Sequence, residues 1–297
     1  MRCRSALTRI DAMRTGELAA GERNVLDDHL AHCSSCNDSV HDVESFAQTV
    51  KAALTAVPPR SCRDALKGKC ATSFEKLVES NVEVWVAFSK DGLRMIHRGG
   101  TEDEFRQRFA KRYSRPLEPA TLPDKLRRQV TDALHGEGPS KPLVDWGEEA
   151  TELEREVLET LAKIPRGEVR TYAWVARQIG RPKAVRAVGN ILAKNFVPIV
   201  VPCHRVVPSV GGIGSYAFGS AMKRELLRAE GVDVDALDSL ANDNVRYIGS
   251  KTTKIVCFPT CKDARRIREE NRVPFHGETE AIRKGFRPCL RCQPFAA

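Results

Sequence analysis

The chain has 297 residues, 41% of them hydrophobic, with a formal net charge of +9 at neutral pH and ten cysteines. That length allows two or three domains with real cores, and no run approaches the ~18 consecutive apolar residues that mark a membrane span. The N-terminus shows no apolar signal core, so a cytoplasmic, reducing setting is expected, with cysteines acting as metal ligands or nucleophiles rather than as a disulfide frame.

Ser5 to Arg14 and Gly21 to His32 read as helices on either side of a turn at Thr15-Gly16-Glu17. His29, Cys33 and Cys36 follow one another at spacings of four and three, which brings them to one face of a helix and its end. Together with Cys3 they offer the donors that zinc prefers, and His32 and His41 are the competing ligands. The pattern resembles the zinc-binding anti-sigma-factor (zinc-finger) module, matched over about residues 1–50 of a module expected at 1–55. The resemblance implies a protein partner or a thiol redox role, not catalysis.

Ala56-Val57-Pro58-Pro59 reads as a linker, and Cys62 and Cys70 in the basic stretch behind it receive no role. Val82 to Phe88 and Leu93 to His97 read as hairpin strands about the turn Asp91-Gly92. Glu102 to Tyr113 and Asp124 to His135 read as helices, with Phe105, Phe109, Leu126, Val130 and Leu134 inward. These elements form an expected α/β subdomain at 70–147, in which His97 and His135 are surface or core residues without chemistry.

Thr151 and Glu154 make a capping-box pair ahead of a stripe of Leu153, Val157, Leu158, Leu161 and Ile164. Thr171 caps a second helix, Tyr172 to Ile179, closed by Gly180, and Pro182 opens a third that reaches about Asn195. Two short helices joined at Gly180-Arg181 read as a helix-turn-helix, with Arg186 near the start of the second. The apolar run Ile199-Val200-Val201 then delivers Pro202-Cys203-His204-Arg205, a thiol beside an imidazole and hence a candidate nucleophile. Residues 169–224 contain no Asp or Glu but carry Arg170, Arg177, Arg181, Lys183, Arg186, Lys194, Arg205, Lys223 and Arg224. A single-sign field around a reactive thiol points to a polyanion, here nucleic acid, and favours thiolate as well.

Several pieces of this region resemble the O6-alkylguanine-DNA alkyltransferases. They are Ile164-Pro165-Arg166-Gly167-Glu168-Val169-Arg170-Thr171-Tyr172, Arg186-Ala187-Val188-Gly189, Asn195 with Pro198, and Pro202 to Val207. Gly214-Ser215-Tyr216, Lys223 to Leu227 and Glu230-Gly231 complete the match over a domain expected at 148–234. The resemblance implies double-stranded DNA carrying alkylated guanine as partner and Cys203 as a single-turnover alkyl acceptor. It further implies that His204 deprotonates the thiol through a water, that Glu230 orients His204, and that Asn195 braces the thiol loop. Tyr172 and Arg186 would turn the damaged nucleotide out of the stack, Tyr216 would line the guanine pocket, and Arg205 is placed among the DNA contacts. Ala217 and Phe218 stand where some relatives carry Ser and Gly, so a narrowed pocket that excludes bulky alkyl groups is expected.

The acidic stretch Asp233 to Asp243 reads as a linker. Behind it come Cys257-Phe258-Pro259-Thr260-Cys261 and Gly285-Phe286-Arg287-Pro288-Cys289-Leu290-Arg291-Cys292. Two close thiol pairs in a reducing chain make an all-thiolate zinc site, and a tail this small needs the metal to fold. From 243 to 297 there are twelve Lys and Arg against six Asp and Glu, which suits phosphate contacts. This segment resembles the Ada-type metal-binding domain. The resemblance implies Cys257, Cys261, Cys289 and Cys292 as ligands and Cys257 as acceptor of a methyl group from a DNA phosphotriester; Lys254 sits where relatives often carry Gly. The metal domain comes last here rather than first, which leaves a self-methylation switch of transcription unsupported.

The expected fold is therefore multidomain α+β: a small helical zinc module, an alkyltransferase with an α/β and a helical subdomain, and a small α/β four-cysteine module. Two other function classes fit parts of the chain. One is an alkylation- or redox-responsive regulator working through the N-terminal zinc module on a sigma-like partner. The other is a damage-recognition protein without transfer, against which Cys203, His204, Asn195 and Glu230 together argue.

Overall fold

The structure, a computed structural model, describes residues 1–15, 18–55, 72–113, 115–139, 141–209 and 212–295. The linker expected at 56–59 and the unassigned Cys62 and Cys70 lie outside the described residues. The chain divides into two units, Met1–Gly68 and Lys69–Ala297. In the first, helices α1 (Cys3–Thr15), α2 (Ala20–His32) and α3 (Ser34–Thr55) enclose a small core of Ala6, Ile10, Leu26 and Cys36. Helix α3 departs from the sequence reading, which has no helix there. It opens on Ser-Ser-Cys-Asn-Asp-Ser, residues that favour caps and turns. Ser39 and Thr49 direct their hydroxyls to the carbonyls of Ser35 and Ser45 one turn back, so the helix continues through them.

The second unit begins with a four-stranded sheet in the order β3-β2-β1-β4. Strands β1 (Thr72–Glu79), β2 (Val82–Ser89) and β3 (Gly92–Arg98) are antiparallel neighbours, and β4 (Leu117–Pro119) runs parallel to β1. The β2–β3 hairpin is the one legible in the sequence. Strand β1 adds to it by burying Phe74 and Leu77 between polar residues that mask the alternation. Helices α4 (Glu102–Tyr113) and α5 (Asp124–Leu134) complete this half. Phe105 of α4 stacks on Trp85 with ring centroids 5.8 Å apart, and both rings meet Phe74. Arg94 of β3 pairs with Asp145 at 2.8 Å, both nearly buried, which anchors the chain as it leaves for the helical half.

Helix α6 (Glu152–Ala162) starts on the expected capping box: Thr151 Oγ1 accepts from Glu154 N at 3.2 Å, and Glu154 Oε2 accepts from Thr151 N at 2.9 Å. Helices α7 (Tyr172–Gln178) and α8 (Val185–Ala193) form the helix-turn-helix pair, and the Thr171 hydroxyl caps α7 by accepting from Trp174 N at 3.1 Å. Two very short strands, β5 (Arg170–Thr171) and β6 (Val206–Val207), pair in parallel. This pairing ties the residues just ahead of α7 to the segment just behind a 3-10 turn at Cys203–Arg205. The loop into that turn holds Ile199 at φ 76°, a costly backbone state for a β-branched residue. Helix α9 (Gly219–Ala229) then ends on Glu230 as its C-cap.

Asp233 to Asp243 is not a linker. It is helix α10 (Val234–Asn242), capped by the Asp233 carboxylate, which accepts from Ala236 N at 2.9 Å. The acidity that reads as a linker has structural uses: Asp238 and Asp235 pair with Arg224 and Arg228 of α9, while Val234 packs against Leu227 and Ile213.

The last module has strands β7 (Tyr247–Ser250), β8 (Ile255–Cys257), β9 (Arg272–Phe275) and β10 (Arg287–Pro288) in the order β10-β8-β7-β9. Helices α11 (Lys262–Arg265) and α12 (Glu278–Arg283) flank it. A Cβ on Gly249 would lie 2.6 Å from the Phe275 and Phe286 rings, so glycine is required there. Lys254 has φ 54°, a left-handed state in which glycine is unstrained. The module is packed on the helical half, a contact the sequence does not announce. Trp174 Nε1 donates to Cys292 O at 3.0 Å, and Arg177 donates to Pro294 O at 2.6 Å. Phe105→Ala is expected to cost about 3–5 kcal/mol in urea unfolding. Val78→Ala, at a β1 position 65% exposed, should stay within about 0.5 kcal/mol.

Candidate active site and metal centres

Cys203 opens the 3-10 turn and is 4% exposed. Asn195, just past α8, donates from Nδ2 to Cys203 Sγ at 3.0 Å and to Val201 O at 3.2 Å. Its Oδ1 accepts from Val197 N at 3.1 Å, so the amide is fixed at both ends. Behind the thiol, His204 Nε2 lies 2.7 Å from Glu230 Oε1. Arg205 donates from Nε to both oxygens of that carboxylate at 3.0 and 2.9 Å, and from Nη1 to Ile164 O at 2.7 Å. His204 Nδ1 is buried and has no partner among the described residues. An ionised carboxylate only accepts, so Nε2 carries the ring proton and Nδ1 is the basic nitrogen.

Beside the sulfur lies a cavity of about 160 Å³ lined by Tyr172, Gly189, Leu192, Ala193, Cys203, Ser215, Tyr216 and Ala217. A cavity of about 150 Å³ has room for an aromatic ring. Tyr172 is half-buried, and Tyr216 stands edge-on to the His204 ring at 6.2 Å. Ala217 lines the cavity as expected. Phe218 does not: its ring packs edge-on against Tyr216 and His97 instead. Arg186 is exposed on the first turn of α8, three residues before the cavity-lining Gly189.

Burial pushes the Cys203 thiol above its ordinary value, against the Asn195 hydrogen bond and the Lys223 charge, which pull it down. Burial lowers His204, against the opposing pull of Glu230. Burial alone would raise Glu230, but its bonds and charge contacts with His204 and Arg205 prevail and hold it at about 2. At neutral pH the set is thus a neutral thiol, a neutral imidazole and an ionised carboxylate. The Lys223 charge favours thiolate, as a positive surrounding should, but burial outweighs it.

The acid-free stretch is not a uniform surface field. Arg170, Arg205 and Lys223 are buried, and Arg181 and Arg224 pair with Glu156 and Asp238. Lys183, Arg186 and Lys194 are exposed and form no ion pair among the described residues. Arg205, expected at the DNA, is therefore an internal residue, 5% exposed, whose guanidinium neutralises Glu230. Lys223, read from the sequence only as one of the basic residues around the thiol, is 1% exposed and donates from Nζ to Val206 O at 2.6 Å and Ser215 O at 3.3 Å. Burial lowers it to about 8, with Cys203 opposing. A signal was present: Lys223, Leu226, Leu227 and Glu230 fall at i, i+3, i+4 and i+7, so both charges continue the buried face of α9.

Two clusters have the donors for zinc. Ligand atoms of Cys257, Cys261, Cys289 and Cys292 lie within 4.8 Å of one another, as do those of Cys3, His29, Cys33 and Cys36. A tetrahedron with ~2.3 Å zinc–sulfur bonds has edges of about 3.8 Å, and the Cys3 and Cys33 sulfurs are 3.8 Å apart. His29 Nε2 is buried without a partner among the described residues, whereas the competing His32 has its Nδ1 on Asp28 O at 2.8 Å. Both donor sets fit zinc. Cys257 and Cys289 also open onto a cavity of about 420 Å³ that includes Thr252, Thr253, Arg266 and Arg268, and Cys261 and Cys292 do not. No described helix is long and apolar enough to cross a membrane.

Three family models match the chain: the 6-O-methylguanine DNA methyltransferase DNA-binding domain at residues 152–232, the metal-binding domain of Ada at 234–294, and a zinc-finger family at 3–37. A methylated-DNA–protein-cysteine methyltransferase of Methanosarcina acetivorans is 47% identical over 83 residues, 28% of this chain and 53% of that protein. The chain thus spans about half the length of that relative. The protein of the same name from Shigella flexneri is 35% identical over 165 residues, 54% of this chain and 82% of its own length. Among solved structures, O6-methylguanine-DNA methyltransferase from Pyrococcus kodakaraensis aligns with TM-score 0.43 and 31% identity, over 54% of this chain and 99% of that one. With its Cys203 site and two zinc-ligand clusters, the chain belongs to the methylated-DNA–protein-cysteine methyltransferase family.

Proposed function

We propose that this chain repairs alkylated DNA by irreversible transfer of the alkyl group from O6-alkylguanine to Cys203. The observation that carries the reading is the buried relay: a thiol on a base-sized cavity, next to an imidazole whose far nitrogen is held by an ionised carboxylate. A base inside a duplex is out of reach, so it is first extruded at a cost of a few kcal/mol. Arg186, exposed near the cavity, fills the space left in the stack, and Tyr172 and Tyr216 flank the entering ring. The Cys203 proton passes through one water to His204 Nδ1, and Glu230 stabilises the imidazolium. Sulfur then attacks the alkyl carbon in line. The carbon–oxygen bond breaks with its electron pair going to guanine O6, and the proton follows to the departing base. The thioether has no release step, so each molecule acts once.

A second reading concerns Cys257, as acceptor of methyl from a DNA methyl phosphotriester. It is supported by the opening of Cys257 onto the cavity that holds Thr252, Thr253, Arg266 and Arg268. Zinc, when bound, keeps its thiolates deprotonated, and four thiolates on one divalent ion leave the net negative charge that a sulfur nucleophile needs. Cys257 shares that cavity with Cys289, while Cys261 and Cys292 do not line it.

Because the His204 value is lowered, the imidazole stays basic to below the ordinary range near ~6.5. The transfer rate should be flat through neutral pH and fall only in more acid solution. His204→Ala should lose about 10²–10⁴-fold at neutral pH and then climb steadily with pH, as the thiol ionises directly. Single-turnover rates with O6-methylguanine duplex measure this, and equal rates for variant and wild type at neutral pH would sink the relay. Incubation with methyl-phosphotriester DNA should leave one methyl on the Cys257 peptide by mass spectrometry; an unmodified peptide would make the four-cysteine site structural only.

A further inference from the structure

The C-terminal metal site and the Cys203 pocket are joined by a continuous set of buried contacts. Cys261 is bracketed by two of them. Thr260 Oγ1, just before it, accepts from Val169 N at 2.9 Å, and Lys262 N, just after it, donates to Glu168 Oε1 at 3.0 Å. Glu168 turns its other oxygen to Arg170 Nη2 at 2.5 Å, and both side chains are 2% exposed. The Arg170 guanidinium lies between the rings of Trp174 at 5.6 Å and Phe258, the neighbour of Cys257, at 5.2 Å. Trp174 Nε1 in turn donates to the carbonyl of Cys292 at 3.0 Å.

On the catalytic side every one of these contacts falls within residues 168–174. That segment leads through β5 into the first turn of α7, and it includes Tyr172, which lines the Cys203 cavity. Strand β5 also pairs with β6 directly behind the Cys203 turn. We infer that the C-terminal zinc module is a metal-dependent brace of the alkylguanine pocket: zinc held by Cys261 and Cys292 fixes the segment that presents Tyr172 to Cys203. The inference takes the Cys203 pocket as the reactive one.

The physical reason is the nature of the interface. A structural zinc site contributes its binding free energy to folding, so four crowded thiols without the ion no longer draw their loops together. Loosening those loops withdraws the partners of Glu168 and Trp174. A buried ion pair that loses its hydrogen bonds is strongly disfavoured, so the segment 168–174 must rearrange or take up water. Trp174 and Glu168 are positioning residues, because neither lines the Cys203 cavity.

The test uses the full chain, loaded with zinc or stripped by a chelator under reducing conditions. Because chelation empties both metal sites, the same comparison on a Cys33→Ser chain isolates the C-terminal metal. Hydrogen exchange at amides 168–178 should rise about tenfold or more on stripping, and the transfer rate at saturating O6-methylguanine DNA should fall by a similar factor. Trp174→Phe keeps a ring against Arg170 but removes the donor to Cys292. In the loaded chain it should lower the saturating rate without weakening DNA affinity, and it should shrink the response to zinc. Unchanged exchange at 168–178 while 255–292 lose protection would overturn the brace. So would a saturating rate indifferent to zinc. Absence of transfer under every condition would count against the Cys203 reading, and the exchange data would still decide the brace.

Discussion

The Glu230 carboxylate is the fixed point of the catalytic half. It ends α9, accepts from His204 and Arg205 inside the protein, and through Arg205 reaches the Ile164 carbonyl just past α6. Three stretches distant in sequence are thereby locked on one buried charge. Removing one partner of such a charge is costly, typically several kcal/mol, so the cluster sets geometry as well as protonation. Its folded value near 2 lies below the ordinary carboxylate value. The stabilisation is therefore complete above the unfolded value of ~4.3 and is lost as pH falls through about 2.

Burial, rather than that anchoring, keeps the resting thiol neutral. A buried sulfur with one amide donor and one ammonium nearby is still raised by desolvation. A permanent thiolate would be open to oxidation and metal capture, whereas a thiol ionised only when a base displaces solvent from the cavity reacts where its substrate is. The charge run around Cys203 divides accordingly: Arg205 and Lys223 shape the inside of the site, and Lys183, Arg186 and Lys194 remain exposed for a polyanion.

Much of this was legible in the residues. The capping box at Thr151, the Thr171 cap, the hairpin at Asp91-Gly92 and the close-spaced Cys and His groups within both ligand sets depend on local spacing, which a sequence displays directly. What stayed hidden was tertiary. Helix α3 begins with residues that prefer turns, and α10 carries an acidity whose purpose is to meet Arg224 and Arg228 of another helix. Arg205 reads as a DNA contact because a motif shows charge but not burial. The docking of the zinc module on α7 rests on backbone carbonyls of Cys292 and Pro294, which no side-chain pattern encodes.

The most direct test of the anchored relay is the ionisation of Cys203 itself, followed by carbon-13 NMR of selectively labelled cysteine across pH in the resting protein. The Cys203 signal should remain that of a thiol through neutral pH and titrate only above the ordinary cysteine range near ~8.5. A thiolate signal at neutral pH, unaffected by Glu230→Gln, would contradict it.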